Sequence, residues 1–319
     1  MLYRRHFRIK ALQALYSWYS GSTENVPFGE KELLQSVAKI YELFIWQLSF
    51  FVELKNFAET RIEENKQKFY PTDEDLNPRL NFVNNRVLNG LEQNSDYKRK
   101  ISAYKINWGA EQGIVRKFYN KLRESDFYTI YNLNEHVSLE DDKRFLLKLI
   151  DILLADFESL KSFYEEKSVH FSDGYDLVNI LLIKFADTYS HEFNSASGLP
   201  EIYKTEGGAG EEDILFLKNL YRHVISRDDE LTGLLKEKTS TWDYDRIPIM
   251  DLILLKMAII ELLEMETVPV KVTLNEYIEL AKYFSTPNSR TFVNGVLDRL
   301  IREFKEENKI KKMGRGLLE

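Results

Sequence analysis

The residue types that most often perform chemistry are thinly spread along this 319-residue chain. Five histidines, His6, His136, His170, His191 and His223, have no partner at metal-ligand spacing. Cysteine is absent, so thiol chemistry and disulfides are excluded, and a zinc site would need His and carboxylates alone. No Gly-x-Ser-x-Gly nucleophile elbow occurs. Residues 207–212 read GGAGEE, but no strand pattern precedes them and the Lys-Ser/Thr of a phosphate-binding loop is missing. Acidic residues are plentiful and scattered, as on solvated helix faces. Without a nucleophile, base, metal site or cofactor cradle, the sequence reads as a protein that binds rather than reacts, with no cofactor.

What remains is charge that could hold a polyanion. The net charge is −7, which on average argues against nucleic acid, because backbone binding is driven by local positive charge. The ends depart from that average. The first ten residues hold Arg4, Arg5, Arg8 and Lys10 with no acid, and residues 309–319 hold Lys309, Lys311, Lys312 and Arg315 against Glu319. A local patch suffices to engage a phosphate backbone on an acidic protein. Arg4 and Arg8, four apart, share a helix face. Taken alone, the N-terminal patch suits either RNA or the plain solvated start of a helix.

The elements that must position these groups read as helices. Pro and Gly, costly inside helices, number only 7 and 14. The 18 Tyr and 20 Phe are read as a bulky core. In the first helix Phe7, Ala11, Ala14, Leu15 and Trp18 form one buried stripe. Residues 22–30 read as a loop, and one helical pattern then runs from Glu32 to about Phe69, stopped by Pro71. Residues 72–95 are polar, a loop with room for one short helix. Further helices are expected at about 97–122, 142–167, 175–190, 212–237, 246–265, 273–284 and 289–306, with a small-residue connection over 191–212. The most apolar run, 252–265, carries Lys256, Glu261 and Glu264 and is too short and charged to span a bilayer. The N-terminus reads as an amphipathic helix rather than a signal peptide, and a soluble, cytoplasmic protein without membrane contact is expected.

Residues 145–184 echo residues 216–256: Phe145 pairs with Phe216, Leu149 with Leu220, Leu160 with Leu231, Lys167 with Lys238 and Phe171 with Trp242. One added residue then aligns Leu182 with Leu254 and Lys184 with Lys256. Chance likeness of two apolar hairpins and a true repeat both fit. Near the end, Thr273 and Glu276 have capping-box spacing, and Ser289 is placed to cap the last helix, where Phe292, Val296, Leu300 and Phe304 repeat every four residues. Gly295 inside that helix suggests a close helix–helix approach.

The two ends together resemble the NusB family of bacterial transcription antitermination factors. Ala11, Gln13, Ala14, Leu15 and Tyr16 match its AxQALY-like helix after an arginine-rich start. Pro269, Val272, Asn275-Glu276, Glu279-Leu280-Ala281-Lys282 and Phe284 match P-x-x-V-x-x-N-E-x-x-E-L-A-K-x-F, and residues 292–298 read FVNGVLD as in its signature. The resemblance covers residues 1–20 and about 212–304. It implies an all-α fold of two helical bundles, with inserted helices. By position it divides the chain into 1–70, an N-terminal helical part, 71–211, an insertion, 212–306, a C-terminal helical bundle, and 307–319, a basic flexible tail. It implies binding of a boxA-like single-stranded RNA with a small-subunit ribosomal protein, within an antitermination complex on RNA polymerase. Some relatives form homodimers. The RNA contacts carried over are Arg4, Arg5, Arg8, Gln13 and Tyr16, expected on one exposed patch, and the protein-partner contacts are Asp251, Asn288 and Phe292. This chain departs from the family in its long middle, in a shorter arginine cluster and in Asn288, where an acid is usual. A helical protein-interaction module that has lost RNA binding is the alternative.

Overall fold

The computed structural model describes residues 4–172, 174–201, 209–238 and 244–317. Among these residues the regular structure is helical throughout, with no strand. The α-helices are α1 (Arg4–Tyr19), α2 (Val26–Lys66), α3 (Asp73–Leu76), α4 (Arg86–Gln93), α5 (Ser95–Ala103), α6 (Gln112–Arg123), α7 (Asp126–Leu133) and α8 (Leu139–Lys148). There follow α9 (Glu158–Lys167), α10 (Tyr175–Thr188), α11 (Ala209–Ser226), α12 (Asp228–Lys238), α13 (Ile249–Glu264), α14 (Val270–Phe284) and α15 (Ser289–Glu306).

Two compact units emerge, Met1–Val37 with Ile202–Glu319, and Ala38–Glu201. The divisions expected at residues 70 and 211 thus fall after Val37 and after Glu201: the residues of α2 beyond Val37 belong to the second unit.

In the first unit α13 is buried around nearly its whole circumference, Ile253 to Leu262 being covered without a break, because the sequence there is apolar apart from Lys256 and Glu261, which pair with Asp228 and Arg8. α1, α11, α12, α14 and α15 all pack against it. Where the sequence suggests a flexible tail, the described residues after α15, up to 317, are tied back to the end of α13. Met313 N–H donates to Glu266 O at 3.0 Å, and Lys312 Nζ donates to Glu261 O at 3.1 Å and Met265 O at 2.9 Å. A lysine there satisfies carbonyls that the end of α13 leaves open.

In the second unit an aromatic core explains the high Phe and Tyr content. Trp46 of α2 meets Trp108 at 5.2 Å between ring centroids, Phe50 meets Phe118 at 5.1 Å, and Phe118 meets Phe157 at 4.9 Å. These edge-to-face pairs knit α2, α6 and the chain before α9 together. The core also breaks two helices that periodicity alone runs on. Lys105 takes a left-handed φ of 53° and ends the helix begun at Ser95, so that Trp108 can enter the core and donate to Ser49 Oγ at 2.9 Å. The pattern over 142–167 becomes α8, a π-helical run over Leu149–Leu154, and α9. The π turn shifts the hydrogen-bond register, with Ala155 N–H donating to Ile150 O at 3.0 Å, and Leu149 and Leu154 are both fully buried.

The two echoing segments fall in different units and break at matching places. The turn at 155–157 before α9 corresponds to Arg227 before α12, and Phe145/Phe216, Leu149/Leu220, Leu160/Leu231 and Leu182/Leu254 are buried in both. Trp242, paired with Phe171, lies outside the described residues.

Candidate functional site

α1 places its arginines in three different environments. Arg8 is only 2% exposed, and the exposed patch expected for all three does not form. Its Nε and Nη2 grip the carboxylate of Glu261, itself wholly buried in α13, at 2.8 and 2.6 Å. Thr273 Oγ1 and Tyr277 OH donate to the same carboxylate at 2.8 and 3.1 Å. Burial alone would lower the Arg8 pKa, but the charge and hydrogen bonds of Glu261 outweigh it and hold the guanidinium above the ordinary arginine value. The RNA contact expected of Arg8 is therefore corrected: it is a structural cation locking α1 to α13. Thr273 belongs to this network as well. α14 starts at Val270, and the capping box expected at Thr273 does not form.

Arg4 and Arg5 stay near water but are engaged. Arg4 Nε donates to Asp213 Oδ1 at 3.0 Å, and its guanidinium sits 5.3 Å from the centre of the Phe216 ring, which Arg8 also faces at 5.4 Å. Arg5 forms a two-pronged pair with Glu276, at 2.8 and 2.7 Å. The hydrogen bond to Glu276 comes first in raising the Arg5 pKa. Burial alone would raise the Glu276 pKa, but Arg5 and Arg8 overcome this and hold it below the usual carboxylate range. Gln13 is exposed, and so is Tyr16, at 44%. Arg5, Ile9, Gln13 and Tyr16, spaced four, four and three apart, follow one helix face. Charge, amide and ring are thus aligned on one ridge, with Arg4 to its side.

The three residues assigned to a protein partner come together in one cavity of about 870 Å³. Asp251, in the first turn of α13, is buried and accepts from Ser289 Oγ at 2.7 Å. That hydroxyl also accepts from Thr286 N–H at 3.2 Å, so Ser289 ties the loop to α13 instead of capping α15, whose N-cap is Asn288. Asn288 and the half-buried Phe292 line the cavity with Val296. Gly295 lines it too, and a Cβ placed there would meet nothing within 4 Å. The close helix approach expected at this glycine is thereby overturned; its bare backbone forms part of an open wall. Sequence reasoning missed the cations of this wall, Lys238, Arg246 and Arg299. Their spacing to Phe292 is visible only once α12 and α15 are folded together, where Arg299 donates to Lys238 O at 3.2 Å.

Among the described residues no group of three His, Asp or Glu could hold a metal ion, and no helix is long and apolar enough to cross a membrane.

The profile of the NusB family matches residues 177–302, from α10 into α15. The chain is similar to "Transcription antitermination protein NusB" of Salinibacter ruber, 40% identical over 103 residues, 32% of this chain and 64% of that protein. It is similar to the protein of the same name from Chloroherpeton thalassium, 36% identical over 104 residues, 33% of this chain and 49% of that protein. It is also similar to that of Finegoldia magna, 35% identical over 92 residues, 29% of this chain and 67% of that protein. The chain thus spans about half to two thirds of the length of these curated relatives. No solved structure matches the chain.

Proposed function

The chain belongs to the NusB family, and from that premise we propose that it is a non-catalytic factor of transcription antitermination and ribosomal RNA synthesis. It binds a boxA-like single-stranded RNA through the α1 ridge, together with a small-subunit ribosomal protein seated in the cavity beside α15, as part of an antitermination complex on RNA polymerase. The observation that carries this reading is the ridge itself, where Arg5, Gln13 and the exposed ring of Tyr16 follow one face of α1. A guanidinium neutralises a phosphate, an amide reads a base edge, and a tyrosine ring stacks on an unpaired base. On the second surface, Phe292 and Val296 offer an apolar anchor, the open wall at Gly295 leaves room for a side chain, and Lys238 and Arg299 supply a charged rim. The test is fluorescence anisotropy of a boxA-like RNA with the wild-type chain, Arg5→Gln and Tyr16→Ala, against a scrambled RNA. Selective binding weakened by either substitution supports the reading; equal binding of both RNAs by all three proteins overturns it.

One observation favours the second reading, a helical interaction module that has lost RNA binding. Every arginine of α1 already has an acidic partner in the fold: Arg4 with Asp213, Arg5 with Glu276 and Arg8 with Glu261. RNA must displace the first two pairs. Exposed pairs of this kind are worth about 0–1 kcal/mol each, so a phosphate can compete for Arg4 and Arg5 but not for Arg8.

A further inference from the structure

The Ala38–Glu201 unit contains a cleft of about 470 Å³ built by the end of α2, the chain around α3, α6 and α7. We propose that this cleft is a second binding site for single-stranded RNA, separate from the α1 ridge and not resting on its assignment. The unit as a whole carries 21 Lys and Arg against 27 Asp and Glu, a net charge of −6. The cleft inverts that sign: Arg61, Lys68, Arg79 and Arg123 line it, against Glu74 and Asp75 alone. Local charge of this sign inside an acidic unit directs a polyanion to one place.

The cations are held ready. The Arg61 guanidinium lies 5.4 Å from the centre of the Phe57 ring, which packs edge-on against Tyr119 at 5.4 Å. Arg79 Nη1 donates to Asn132 O at 3.4 Å. Lys68 is paired with Asp75 at 3.1 Å, and Arg61 with Glu64 at 2.8 Å, both at the surface and open to exchange for a phosphate. Arg123 has no acidic partner among the described residues. From Gln112 to Arg123, α6 carries no acid, and Arg116, Asn120 and Arg123 fall at i, i+4 and i+7 on its exposed face, a basic track leading out of the cleft.

Two further features separate RNA from an acidic polypeptide. The side-chain amides of Asn65 and Asn120 line the cleft and have no hydrogen-bond partner among the described residues. An amide both donates and accepts, which suits the edge of a base, whereas carboxylates need donors alone. Directly after Lys68 come Phe69 and Tyr70, 88% and 84% exposed, their rings paired edge-to-face at 4.6 Å. Two large rings left in water beside a basic cleft provide the stacking platform that unpaired bases use.

The test uses the full chain carrying Arg5→Gln and Tyr16→Ala, so that the α1 ridge contributes no selective binding. A fluorescein-labelled 15-nucleotide oligouridine is titrated between 50 and 200 mM salt. Two further proteins add either Arg79→Gln with Arg123→Gln, or Phe69→Ser with Tyr70→Ser; all these positions are exposed, and thermal melting checks the fold. Each arginine lost from a single-strand phosphate removes about 0.7 from the slope of log affinity against log salt. The arginine pair is therefore expected to lower the slope by about 1.4 and the affinity at 50 mM salt by about tenfold. The ring pair is expected to weaken binding while leaving the slope unchanged. The proposal is overturned if the starting chain shows no residual RNA binding, or if the arginine pair changes neither slope nor affinity. It is also overturned if oligoglutamate displaces the RNA as effectively as unlabelled oligouridine, which would make the cleft a site for acidic protein segments.

Discussion

Replacing Arg8 by alanine separates a structural arginine from an RNA-contacting one. Glu261 is wholly buried and accepts two hydrogen bonds from Arg8, one from Thr273 and one from Tyr277. Without Arg8 the carboxylate keeps two neutral donors and loses its one directly hydrogen-bonded cation, since Arg5 is held by Glu276 and Lys312 acts on Glu261 only through space while donating to main-chain carbonyls. Breaking a buried pair in this way costs about 3–5 kcal/mol. For a cooperative unit of this size each kcal/mol lowers the melting temperature by about 2–4 °C, so a loss of about 6–20 °C is expected. The assay is thermal melting and urea unfolding followed by circular dichroism, with RNA anisotropy at a temperature where the variant stays folded. Arg8→Met combined with Glu261→Met removes both charges and should recover much of the lost stability, because no buried charge is then left alone. A loss below about 1 kcal/mol in Arg8→Ala, together with an RNA defect as large as that of Arg5→Gln, would refute the structural role.

Glu276→Gln frees Arg5 from its carboxylate and is expected to tighten RNA binding measured by anisotropy; weaker binding would mean that Glu276 orients Arg5 instead of competing for it. The same carboxylate, held below its usual pKa, contributes stability above pH 4.5 that fades as pH falls through its depressed folded value, and acid titration of the Gln variant should show a shallower loss. Gly295→Ala should stabilise α15 by about 0.5–1 kcal/mol in thermal melts, since its Cβ meets nothing, whereas Gly295→Trp should leave folding intact and block the protein partner in pull-downs. Burial pushes the Lys312 pKa down to about 8 from 10.5, so between those values the unfolded chain binds more protons and stability should rise with pH. Lys312→Met is expected to flatten that rise in urea unfolding at pH 8 and 10; an unchanged slope would show that Lys312 is not the group responsible.

The helical class was legible because Pro and Gly are scarce and the apolar spacings strong; the helices expected at 246–265, 273–284 and 289–306 lie within a few residues of those places, while the one expected over 212–237 is broken at Arg227 into α11 and α12. Helix breaks were legible only where a breaker marks them. α2 ends at Lys66, a few residues before the stop expected at Pro71, but the breaks at Lys105 and after Leu154 answer to the packing of Trp108 and Leu154 in an aromatic core, which no local pattern announces. Asp251, Asn288 and Phe292, which the resemblance put forward as partner contacts, line one cavity beside α15. Arg8 was misplaced for a physical reason: helical spacing shows that it shares a face with Arg4, but not that a carboxylate 253 residues away waits beneath that face. One signal was present in the sequence, since Glu261 interrupts the most apolar run of the chain and a buried acid calls for a cation. Gly295 shows the reverse limit, because a glycine in a helix marks a missing side chain without saying whether protein or open space fills the gap.

Whether RNA binds at the α1 ridge with a ribosomal protein in the cavity beside α15 is decided by titrating boxA-like RNA with and without the organism's small-subunit ribosomal partner. Selective binding that the partner tightens is expected, lost on the RNA side in Arg5→Gln with Tyr16→Ala, and with the partner's effect alone lost in Gly295→Trp. RNA affinity that is unselective, indifferent to the partner and unchanged in both variants would contradict it.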